Sequence, residues 1–71
     1  MSLTDVKRGR RVRFVASEAG PELYGRLSAM GLVPGAKIEV IQNAMGGPFI
    51  IAIGGTRVAL GRDMACRILV T

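Results

Sequence analysis

A chain of 71 residues is too short for two hydrophobic cores, and at this size folding buries only roughly 60% of the surface that the unfolded chain exposes. Residues 1–71 therefore read as one domain. Ten Lys and Arg against five Asp and Glu give a net charge of +5, but the excess is uneven: residues 1–13 carry Lys7, Arg8, Arg10, Arg11 and Arg13 against Asp5 alone, and the rest is nearly neutral.

Apolar residues make up 49% of the chain and recur in short runs between glycines, a pattern that suits a packed core and argues against disorder. The longest apolar stretch, Pro48–Ile53, is far shorter than the ~20 residues of a membrane-spanning helix. No charged-then-apolar leader opens the sequence. The expectation is a protein neither secreted nor inserted, hence cytoplasmic. Cys66 is the single cysteine, which rules out an internal disulfide and agrees with a reducing compartment.

Leu3–Gly9 reads as a lead-in that turns at Arg8-Gly9. Residues 10–16 then alternate as a strand with Val12, Phe14 and Ala16 inward. Gly20-Pro21-Glu22 starts a helix, with proline at the first helical position and Glu18 and Glu22 near the positive end of the dipole. Leu23, Leu27 and Met30 share its apolar face, and Glu22 can pair with Arg26 on the other side. The helix is about three turns long. Gly31 supplies a left-handed stop, Leu32 folds back on the last turn, and Pro34 prevents resumption.

Pro34-Gly35 turns into a second strand over residues 36–42, with Ile38 and Val40 alternating against Lys37 and Glu39. A loop at Met45-Gly46-Gly47-Pro48 precedes the strand Phe49–Ile53, and Gly54-Gly55 is a favoured hairpin turn into Thr56–Leu60. A turn or single helical turn over residues 61–65 leads to a closing strand, Arg67–Val70. The fold class is mainly β with one short α-helix: a small antiparallel β-barrel of SH3-like type, about five strands, with the helix inserted between the first and second. Several strands also carry apolar residues in the opposite phase, namely Val15, Ile41, Ile50, Ala52 and Leu69. Either the helix and loops bury that second face, or part of it is a docking surface.

The side-chain inventory offers little chemistry. There is no histidine, the commonest general base and transition-metal ligand. Cys66 alone cannot build a zinc or iron site, and Asp5, Glu18, Glu22, Glu39 and Asp63 are scattered. Ser17, Ser28 and Thr4 have no histidine to activate them, and Gly31–Lys37 lacks the spacing of a nucleotide-binding loop. No catalytic residue, cofactor site or metal site is assigned. The basic segment could engage phosphates, but of the three aromatic residues Phe14, Tyr24 and Phe49, two are in phase with the core, which disfavours a stacking platform for nucleic acid. Arginines that solubilise and protect an exposed strand are the better reading. Attraction to an acidic protein or to an anionic leaflet is a further reading.

The run from Arg26-Leu27 through Met30-Gly31-Leu32, Pro34-Gly35 and the strand to Val40 resembles the signature of the FeoA family. The similarity continues through Asn43–Pro48, Gly55, Val58-Ala59-Leu60 and Ala65–Val70, and covers the chain from Leu3 onward. Met45 and Gly47 depart from the pattern, standing where the family often has proline and aspartate, so this loop should be more flexible and less acidic than usual. The resemblance implies a small cytosolic accessory protein of bacterial ferrous iron uptake. Its implied partner is the cytosolic, GTP-binding part of the FeoB transporter, with the membrane reached only through that transporter. It also implies kinship with the C-terminal SH3-like domain of DtxR-type iron-dependent regulators, which stands with a nucleic-acid-binding barrel as the alternative. Homo-oligomerisation is left open. The partner-binding candidates are Arg11, Arg13, Val15, Met30, Leu32, Ile50 and Leu69.

Overall fold

The computed structural model of the chain describes residues 1–18 and 20–71, and the side chains of Glu22, Leu23 and Tyr24 also lie outside that description. The expected Glu22–Arg26 pair and the inward Leu23 fall there. After a 3-10 turn at Leu3–Asp5, the elements are β1 (Arg11–Ser17), α1 (Pro21–Ala29), β2 (Lys37–Asn43), β3 (Phe49–Ile53), β4 (Thr56–Leu60), α2 (Arg62–Ala65) and β5 (Ile68–Val70). The five strands form one antiparallel sheet in the order β4-β3-β2-β1-β5. This is the mainly β, SH3-like architecture that the alternation implies, with α1 inserted between β1 and β2.

Local chemistry fixes the turns. Gly31 adopts φ +95° directly after α1, and the Leu32 N–H returns to the Leu27 carbonyl at 2.9 Å. This satisfies a carbonyl at the helix end, and it carries Leu32 into the core, where it is fully buried. Between β3 and β4, Gly54 takes φ +59° while Gly55 does not turn positive, the sign pattern of a II′ hairpin. β3 then alternates cleanly, with Phe49, Ile51 and Ile53 buried and Ile50 and Ala52 half-buried on the outer side.

The core comprises Phe14, Leu27, Leu32, Ile38, Val40, Phe49, Ile51, Ile53, Leu60, Ala65, Ile68 and Val70, joined by Leu3 and Val6 from the lead-in. That last contribution was not visible as periodicity. Met1–Ser2 runs along the outer edge of β5, through the Ser2–Leu69 bridge and the Val70 N–H to the Met1 carbonyl at 2.7 Å. A strand edge that would otherwise be open is partly closed in this way. Asn43 at the end of β2 then ties down the same lead-in: its Nδ2 donates to the Val6 and Thr4 carbonyls at 2.8 and 3.2 Å.

Two single-residue register shifts interrupt the ladders. One lies between Phe14 and Ala16, where β1 meets β5, and the other between Val40 and Gln42, where β2 meets β3. Each inserts one residue and so moves everything beyond it to the opposite face. Ala16 is therefore exposed, not inward as strict alternation predicts. Met30, expected on the apolar face of α1, caps the helix instead and is 39% exposed.

Candidate docking surface

β1 sets the surface. Phe14 pairs with Val70 and both point into the core, while Ala16 pairs with the half-buried Leu69. The extra residue between them, Val15, is 48% exposed. The shift thus places Val15 and Ala16 together on the outer side, beside Leu69 of β5. An uninterrupted strand would have turned one of the two inward.

Toward the N-terminal end of β1 the same outer face becomes basic. Arg13 stands directly opposite Lys37, and Arg11 opposite Glu39. The row continues across the sheet, since Glu39 pairs with Ala52 and Ala52 with Arg57. Arg11 Nε lies 3.3 Å from Glu39 Oε1, and Arg13 Nη1 donates to the Gly35 carbonyl at 3.0 Å. Those contacts orient both guanidinium groups and leave the Arg11 terminal nitrogens and the Lys37 ammonium without a partner among the described residues. The Arg13–Lys37 juxtaposition puts like charges opposite one another, which is unfavourable in the free protein and relieved by an anionic partner.

Four of the seven expected contact residues, Arg11, Arg13, Val15 and Leu69, therefore share the outer face of the β1–β5 pair. Ile50 also faces outward, but it lies beyond β2, between Gln42 and Ala59. Met30 is separate again, at the end of α1. Leu32 is fully buried, because the left-handed Gly31 turns it inward, and its place is in the core. Lys37 and Arg57 were missed, as each is isolated in sequence and only strand pairing brings it to this face.

The chemistry here is that of contact. Among the described residues no group of three or more His, Cys, Asp or Glu side chains is placed to hold a metal ion. Cys66 is exposed, its thiol donating to the Asp63 carbonyl at 3.0 Å. No helix among the described residues is long and apolar enough to cross a membrane.

Residues 1–71 match the family model of the FeoA domain. The chain belongs to the FeoA family. It is 38% identical over 68 residues to the Fe(2+) transport protein A of Methanocaldococcus jannaschii, spanning 96% of this chain and 82% of that protein. Its fold superposes on the crystal structure of an iron uptake regulatory FeoA with a TM-score of 0.87 at 36% identity, covering 99% of this chain and 93% of the other. The FeoA of Stenotrophomonas maltophilia, crystallised with zinc and described as an SH3 domain protein, gives a TM-score of 0.86 at 24% identity and covers 100% of this chain and 89% of its own; it supports the fold alone. The same holds for a manganese-dependent transcriptional repressor, which shares the fold over 40% of its length at 21% identity and a TM-score of 0.86. FeoA proteins are accessory proteins of ferrous iron transport.

Proposed function

We propose that this FeoA-family chain acts in the cytoplasm as a single, non-catalytic domain that docks on the cytosolic GTP-binding part of a FeoB-type iron transporter. The observation that carries this reading is the β1 irregularity, which holds Val15 and Ala16 outward beside Leu69. A barrel with so small a core does not gain stability from a half-exposed valine, and an uncovered apolar group flanked by charge is what a transient protein interface offers. The basic residues on the same strand supply orientation and encounter rate. Family membership names the process, ferrous iron transport, and supports looking for the partner in the transporter that carries it out.

Co-purification of the full chain with the transporter's cytosolic domain tests the proposal. Association of the wild-type chain, together with impaired iron uptake after its deletion, is the expected result. No association, with normal uptake in the deletion strain, would remove the reading.

A further inference from the structure

The basic half of the outer face is shallowly concave. One depression is lined by Arg11, Val12, Arg13, Lys37 and Thr71, and a second by Arg11, Lys37, Glu39, Ala52 and Gly54 among others. They share Arg11 and Lys37, so together they make one trough that crosses from the end of β5 over β1 and β2 to β3. Three strand spacings amount to about 14 Å, which an extended peptide covers in about five residues. Among the described residues that line these two depressions the only carboxylate side chain is Glu39, and it is engaged by Arg11; Asp5 lines a neighbouring depression that meets the first at Arg11, Val12 and Thr71.

We propose that this trough receives an extended, carboxylate-bearing segment of a partner protein, held by Arg13, Lys37 and the free end of the Arg11 guanidinium. The inference deepens the docking function above and rests on it for the partner's being a protein. Shape and lining favour a peptide over the other anionic partners. No aromatic side chain lines the trough among the described residues, so it has no platform on which bases could stack. Of the large exposed apolar residues only Met1 comes near, in an adjoining depression that shares Arg11, Val12 and Thr71, while Val15, Met30, Val33 and Met45 line neither part, so the trough offers little to insert into acyl chains. Carboxylates suit the donors present: Arg11, fixed from behind through Nε by Glu39, presents both terminal nitrogens as a fork, and Arg13, whose Nη1 donates to the Gly35 carbonyl, keeps Nη2 for a ligand.

The test titrates the full chain into a fluorescein-labelled peptide of about eight residues alternating Asp and Ala, at ionic strengths of about 0.05 and about 0.15 M. Parallel titrations use a single-stranded oligonucleotide and phosphatidylserine vesicles. Saturable peptide binding is expected, weakened about tenfold or more in Arg13→Ala and Lys37→Ala and hardly changed in Arg67→Ala, which removes an exposed charge outside the trough. Circular dichroism confirms that each variant is folded. Absent binding, an equal loss in Arg67→Ala, or preference for vesicles or oligonucleotide would overturn the inference. The transporter's cytosolic domain is titrated alongside with the same variants. If it binds Lys37→Ala and Arg13→Ala as tightly as wild type, the trough proposal fails and the docking function stands. If the peptide binds and the transporter domain does not, the docking function fails on its partner while the trough remains.

Discussion

Arg62 Nη2 donates to Asn43 Oδ1 at 2.8 Å, joining α2 to the end of β2 across 19 positions of sequence. The same guanidinium nitrogen reaches the Ala44 carbonyl at 2.6 Å, and the guanidinium lies 5.8 Å from the centre of the buried Phe49 ring. With the Asn43 amide also holding the Thr4 and Val6 carbonyls, one side chain fastens the lead-in, β2 and α2 together. Replacing Asn43 by alanine leaves two part-buried carbonyls and an arginine without that acceptor. The expected cost is about 1–3 kcal/mol of stability, read as a lower urea midpoint with an unchanged slope; a midpoint within error of wild type would show that the clamp contributes nothing.

Gly31 should resist substitution through its backbone alone. Its φ of +95° is unfavourable for residues with a Cβ, yet the nearest atom to an added Cβ would be Ile53 Cγ2 at an ordinary 3.5 Å. Gly31→Ala is expected to cost about 1–2 kcal/mol, and Gly31→Asn less, because asparagine tolerates positive φ better. Equal destabilisation by the two in thermal unfolding would point to crowding instead.

Leu32 and Val15 should behave in opposite ways. Leu32 is fully buried and Val15 is 48% exposed, so Leu32→Ala removes core packing worth about 2–5 kcal/mol, whereas Val15→Ala should stay within about 0.5 kcal/mol. Chemical denaturation of both variants separates core from surface. A large loss in Val15→Ala would mean that the residue serves the fold.

The Arg11–Glu39 contact is expected to matter for charge rather than stability. Its partners are exposed, and such pairs contribute about 0–1 kcal/mol. Glu39→Gln should therefore leave the unfolding midpoint nearly unchanged while raising the association rate with an acidic partner at low salt, measurable by stopped flow. A slower association would show that Glu39 itself makes a favourable contact.

What could be seen in the sequence was whatever is encoded locally. The stop at Gly31, the Gly54-Gly55 hairpin and the single turn at Arg62–Ala65 each follow from a few adjacent residues, and the structure has all three. Alternation likewise identified β2, β3 and β4 to within a residue or so at each end. The misses share a different cause. A one-residue insertion such as Val15 has no sequence mark, so strict alternation put Ala16 in the core. Leu3 and Val6 lie in a segment too short to show a period, and their burial depends on contacts with elements distant in sequence. Lys37 and Arg57 join the basic face only through strand pairing, so a charge count along the chain, in which residues 14–71 are nearly neutral, does not single them out.

The docking function turns most directly on Val15. Calorimetric titration of the transporter's cytosolic domain with wild-type chain and with Val15→Asp, both confirmed as folded, measures the contribution of the outward apolar group. Burying an unpaired carboxylate in an apolar contact should weaken binding about tenfold or more. An affinity equal to wild type would contradict the assignment of the β1–β5 outer face as the contact.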